Sequence, residues 1–168
     1  MDTDSTIQTI QSDKTIDEIF YETKPNINKK NKSFRKKVKK LTLVEEYDSD
    51  GRITKVYYVN DNLELDGAHM QRLYDGKKIY ATVTATYKEG ILNGNYEIKK
   101  YKDDVLVYNE RSYYSNGRLE GSREITQIVN SKNYYKIYFY SNGLKNGLFR
   151  EVNDGVVIEG NYVNGEAE

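Results

Sequence analysis

One histidine, no cysteine and 26 carboxylate side chains are the raw material for chemistry in this chain of 168 residues. The histidine, His69, lies in the run AHMQRLY (68–74), with no second histidine in the chain and no neighbouring group to orient it. Nucleophilic catalysis needs a nucleophile, a base and a group that holds the base; His69 reads instead as a partly exposed strand residue. Without cysteine there is no disulfide, no thiolate and no Cys-ligated zinc. Asp48-Ser-Asp50-Gly51 resembles the start of a calcium loop, but the third acid and the distal glutamate of such a loop are missing. Ordinary turn chemistry accounts for Asp48, Asp50 and Gly51, and equally for Asp103-Asp104. Two carboxylates facing across a cleft could hydrolyse a glycoside, yet the pattern offers acids and no cleft. No glycine cluster opens a helical pattern, which argues against a phosphate-cradling loop. The residues point away from an enzyme, and neither a metal nor a cofactor is expected.

A different chemistry is electrostatic. Lys29, Lys30, Lys32, Arg35, Lys36, Lys37, Lys39 and Lys40 give residues 29–40 a net charge of +8, with no acid among them. Such a block can displace counterions from nucleic acid, pair with an anionic membrane or serve as a nuclear address. Phe34, Val38 and Leu41 would share a face if the segment were helical, making a basic amphipathic helix. The competing reading is a solvated linker, balanced by residues 1–28, where six acids against two bases leave −4.

These charges belong to one of two unlike parts. Before Leu41 there are no glycines, the one proline (Pro25) and a single tyrosine; beyond it lie all twelve glycines and sixteen of the seventeen tyrosines. A step this sharp marks a charged N-terminal tail, 1–40 (acidic 1–28, basic 29–40), joined to a domain, 41–168. Thr15-Ile-Asp-Glu18 has capping-box spacing, with Ile16, Ile19 and Phe20 on one helical face. A helix this short is marginal alone in water, so the tail is expected to be a short docked helix or disordered. No apolar run resembles a signal peptide or approaches the roughly 20 residues that span a bilayer. The expectation is an intracellular, cytoplasmic protein.

Within the domain the glycines carry a period. YKEGILNG (87–94), YSNGRLEG (114–121) and YSNGLKNG (140–147) share a pattern, and the closing glycines fall at 67, 94, 121 and 147. A fixed interval marks a repeat architecture. Every glycine follows Asn, Asp or Glu, and Asn-Gly and Asp-Gly pairs supply the positive φ of tight hairpin turns. Between them the period is two: Ile79, Ala81, Val83, Ala85 and Tyr87 alternate with Tyr80, Thr82, Thr84 and Thr86, a strand pattern. About ten strands follow from this reading: 41–47, 52–59, 68–74, 78–87, 95–102, 105–114, 122–129, 133–140, 148–153 and 156–162. Their short connections force sequence neighbours to pair antiparallel. The fold class is all-β, an elongated single-layer β-meander of repeated hairpins. Each segment from tyrosine to closing glycine is expected to form the turn at one end.

At these residues the chain resembles the MORN-type repeats in their degenerate bacterial and viral form. Asn146 to Glu166 carries the correspondence best, through Gly147, Phe149, Gly155, Gly160, Tyr162 and Gly165. The three octapeptides add to it, and NDNLELDG (60–67) keeps its Leu and Gly. The resemblance spans roughly 41–168; the strict repeat is shorter and has a Gly-x-Gly pair that is absent here. It implies a sheet of successive hairpins serving protein–protein or membrane-proximal scaffolding, and some bacterial relatives of the form are antitoxin-like.

The structural set is therefore Tyr87, Gly90, Gly94, Tyr114, Gly117, Gly121, Tyr140, Gly143, Gly147, Gly155, Gly160, Tyr162 and Gly165. Tyr87, Tyr114 and Tyr140 recur at one repeat position and are expected to stack as a ladder. Tyr108, Tyr113, Tyr134 and Tyr138 are the candidates for an exposed, protein-binding face, because aromatic side chains concentrate binding energy. Open strand edges also allow a homo-oligomer. The leading expectation is a non-enzymatic, protein-binding scaffold. The alternatives are an anionic-surface binder acting through 29–40 and an antitoxin-like neutraliser of a partner protein.

Overall fold

The computed structural model describes residues 6–9 and 39–168. They form one sheet of twelve strands: β1 (Thr6–Thr9), β2 (Thr42–Tyr47), β3 (Ile53–Val59), β4 (Leu65–Asp75), β5 (Lys78–Lys88), β6 (Ile91–Lys102), β7 (Val105–Ser115), β8 (Arg118–Val129), β9 (Lys132–Ser141), β10 (Leu144–Asn153), β11 (Val156–Val163) and β12 (Glu166–Ala167). Spatial order equals sequence order, and every neighbour pair is antiparallel. The all-β meander expected from the period-two pattern is what forms. No helix long and apolar enough to cross a membrane occurs among the described residues. Thr6–Thr9 pairs with β2, a strand that the sequence reading does not include. The capping-box segment and residues 29–38 lie outside the described residues.

The seven hairpins from β5–β6 to β11–β12 turn on two residues with positive φ: Glu89-Gly90, Asp103-Asp104, Asn116-Gly117, Asn130-Ser131, Asn142-Gly143, Asp154-Gly155 and Asn164-Gly165. This is the geometry whose twist matches the flanking strands. The closing glycines do something else. Gly67, Gly94, Gly121 and Gly147 lie inside β4, β6, β8 and β10, so these strands begin earlier than the sequence reading places them. Each marks the same irregularity. Leu65 to His69, Leu92 to Tyr96, Leu119 to Arg123 and Lys145 to Phe149 advance four residues while the preceding strand advances two. Asn-Gly serves a bulge as well as a turn, because both require positive φ, so the dipeptide alone cannot distinguish them. With the following strand the register is regular at the glycine, and each bulge glycine faces a tyrosine: Gly67–Tyr87, Gly94–Tyr114, Gly121–Tyr140 and Gly147–Tyr162.

The bulges also tie successive repeats together. The turn-glycine N–H groups of Gly90, Gly117, Gly143 and Gly165 donate to the carbonyls of Leu65, Leu92, Leu119 and Lys145 at 2.8–2.9 Å. Each of those carbonyls stands at the root of the preceding bulge. Every turn is thereby anchored to the repeat before it.

Directly opposed residues share a face of the sheet. One unbroken row crosses ten strands, from Val44 through Tyr57, His69, Ala85, Tyr96, Ser112, Arg123, Tyr138 and Phe149 to Gly160. This first face holds Val44, Val59, Ala81, Ala85, Glu110, Ser112 and Tyr138, all buried. No second layer covers the sheet among the described residues, and no large side chain in them is completely buried. Burial comes from neighbouring rings and long charged side chains lying over the small residues.

Candidate interaction surface

On the first face, tyrosines and bases converge on three glutamates. Glu46 accepts from the Tyr57 hydroxyl at 3.0 Å and the Lys55 ammonium at 2.8 Å. Glu110 accepts from Tyr108 at 2.6 Å and Arg123 Nε at 2.8 Å. Glu151 accepts from the Tyr138 hydroxyl and pairs with Lys136 at 3.0 Å. Burial alone would raise the Glu46 and Glu110 pKa values, but the Lys55 and Tyr57 bonds, and those of Arg123 and Tyr108, outweigh it and hold both carboxyls below the usual range. Glu151 is lowered chiefly by its Tyr138 bond, then by Lys136. Burial and Glu110 push the Tyr108 phenol up to about 12, and burial and Glu151 raise Tyr138 as well. Carboxylates bonded through both oxygens and phenols locked in the protonated state are suited to holding a sheet together, not to moving protons.

His69 lies between two rings, 5.9 Å from Tyr57 and 5.8 Å edge-on from Tyr87. Its Nδ1 is buried without a hydrogen-bond partner. Burial, and secondarily the Lys55 charge, lower its pKa against the opposing pull of Glu46. The expected ladder of Tyr87, Tyr114 and Tyr140 does not form. They stand on β5, β7 and β9, and a strand intervenes between each two, roughly doubling the ~4.8 Å interstrand spacing. Tyr87 pairs instead with His69, and Tyr114 with Tyr96 at 6.0 Å.

Of the four tyrosines singled out for an exposed face, Tyr108 and Tyr134 both stand opposite Gln127 and line one cleft, whereas Tyr113 and Tyr138 stand apart from them. Tyr108, Tyr134 and Tyr138 stand on the first face; two are half-buried and Tyr138 is only 9% exposed. Tyr113, which faces Asn95 across β6, projects from the second face and is 47% exposed. That second face carries residues the sequence reading missed. Ile128, Phe139, Leu148, Val157 and Val163 are all exposed there, Leu148 to 71%. Period-two alternation hinted at them, but the bulges reset its phase. Nearby, Asn109, Thr126, Tyr135, Val152 and Val157 form a row across β7–β11. Asn109, Thr126, Ile128, Tyr135 and Val152 line a cleft of about 340 Å3. The Asn109 Oδ1 atom in this lining is buried and unpartnered, an acceptor that a donor group on a docked molecule could satisfy.

Of the basic block, Lys39 and Lys40 fall among the described residues. Lys39 pairs with Asp66 and Glu89 at the turn end of the sheet. Asp48 accepts from the backbone N–H groups of Asp50 and Arg52 at 3.0 and 2.9 Å and from Arg52 Nε at 2.8 Å. Its carboxylate is thus fully engaged in closing the β2–β3 turn. Comparison with protein-family models, curated proteins and solved structures finds no match for this chain.

Proposed function

We propose that this chain is a non-enzymatic repeat module that binds another protein through the second face of β7–β11. The observation that carries this reading is the set of exposed apolar side chains on that face, Tyr113, Ile128, Phe139, Leu148 and Val157, together with an orphaned acceptor, Asn109 Oδ1, in a cleft that Ile128 lines. Apolar surface grouped in this way marks an interaction site more often than isolated exposed residues do, and a cleft with one directional polar group fixes the pose of what enters it. The resemblance to MORN-type repeats supports a scaffolding role. The test uses the full chain as bait in its native host, beside Phe139→Glu/Leu148→Glu and a control, Thr84→Glu, on the same face but far from the cluster. A partner retained by the wild type and the control and lost by the double variant supports the reading. A partner held equally by all three argues against it.

A further inference from the structure

Lys145, in the bulge of β10, sends its ammonium across the first face to lie 4.0 Å from the Tyr138 ring centroid and 4.5 Å from that of Tyr162. Phe149 packs against both rings, 5.0 Å from Tyr162 and 6.1 Å from Tyr138 between centroids. The Phe149 ring fits because its opposite number is Gly160, where a Cβ would come within 2.6 Å of Cε1. The Glu151 carboxylate, bonded to the Tyr138 hydroxyl, places negative charge beside the rings. Two π-faces, backed by the Phe149 ring and a carboxylate, make an electron-rich cage of the kind that attracts cations.

The present occupant suits it poorly. An alkylammonium has three N–H donors and is strongly hydrated. Among the described residues Lys145 makes one hydrogen bond, 3.4 Å to the Tyr162 hydroxyl, and no ion pair. The other cation–π contacts differ: Arg52 lies 4.4 Å over Tyr74 while paired with Asp48 and Asp50, and Lys100 lies 5.0 Å from Tyr108 alone. A quaternary, fully methylated ammonium brings no donors to satisfy, and its methyl groups spread the charge against the rings.

We propose that Tyr138, Phe149 and Tyr162 form a binding site for a quaternary or trimethylated ammonium group, with Lys145 as a displaceable resident. The exchange conserves charge, since one cation leaves for solvent as another enters beside Glu151. This inference does not rest on the protein-binding reading, which concerns the opposite face.

Aromatic-ring NMR of the full chain, titrated with tetramethylammonium chloride against matched sodium chloride, tests it. Saturable shifts confined to Tyr138, Phe149, Tyr162 and the Lys145 side chain are expected. Lys145→Ala should bind about tenfold tighter, the scale of one desolvated cation–π contact. Tyr162→Ala should lose binding and Tyr162→Phe retain it. Should Tyr162→Ala unfold, Tyr162→Leu, which keeps bulk but removes a ring face, takes its place. Shifts equal to those in sodium chloride, binding by Lys145→Ala but not by the wild type, or binding indifferent to ring loss would each overturn the proposal.

Discussion

At the scale of the residue, stability is tied to groups held in one protonation state, His69 by burial and three glutamates by the bonds they accept. His69 is held neutral, so the unfolded chain takes up a proton more readily than the folded one. Its contribution is complete above the ordinary value of 6.5 and declines as pH falls toward the lowered folded value. Glu46, Glu110 and Glu151 act in a lower window: their stabilisation is present above 4.5 and is lost as pH drops through their depressed folded values. Urea midpoints measured along a descending pH series should therefore fall in two stages, and His69→Gln should remove the upper one. A midpoint flat from neutral pH down to the carboxylate range would contradict the burial argument. Glu110, 8% exposed and bonded by Arg123 and Tyr108, gives a second check. Glu110→Leu should cost about 2 kcal/mol by denaturant unfolding, because a charged donor is left half-buried without its acceptor.

At the scale of the element, one hydrogen-bonded device is used four times. A bulge glycine opens the strand, the next turn bonds to the bulge root, and a tyrosine of the following strand stands opposite the glycine. Gly94 carries the tightest version, with φ at +126° and a Cβ site 2.9 Å from Thr86 Cβ. Gly155 also has positive φ but nothing within 4 Å. Gly94→Ala is thus expected to destabilise more than Gly155→Ala, by about 1–3 kcal/mol for the added crowding. Thr86→Gly should recover the steric part of that difference and leave the backbone part, which a double-mutant cycle in urea would resolve. The opposite sign is expected at Ser131, whose φ of 62° is unfavourable for a side-chain-bearing residue. Ser131→Gly should stabilise by about 0.5–1 kcal/mol, the relief of left-handed strain less the added freedom of the unfolded chain.

At the scale of the whole molecule, the sheet is a one-dimensional stack in which each strand pairs with its sequence neighbours. Damage in such a stack stays local. Gly160→Val, which drives a side chain into the Phe149 ring, should speed amide exchange in β10–β12 while β4–β7 keep their protection. Uniform loss of protection would mean a more cooperative domain than nearest-neighbour pairing allows. The outer strand β11 presents Val156, Val157 and Ile158 in succession, each exposed, and β12 pairs only with its Tyr162–Val163 end. With a formal net charge of zero, little repulsion opposes edge-to-edge contact. Ile158→Lys should lower light scattering on heating; unchanged scattering would point to another surface as the origin of association.

The sequence alone determined the hairpin succession. Positive-φ demand is written locally in Asn-Gly, Asp-Gly and even Asp103-Asp104, and short connections leave antiparallel neighbours as the available pairing. Tertiary structure alone decided which glycines turn the chain and which bulge it. That choice depends on the partner strand: Gly117 and Gly121 both follow a polar residue, yet the first reverses the chain and the second lies within β8. The same bulges shift the side-chain phase, so they also decided that Tyr138 is buried beside Lys145 while Tyr113 and Phe139 face outward. Alternation records which residues share a strand face only until an unpaired residue resets it, and where that happens is fixed by hydrogen bonds to a strand many residues away.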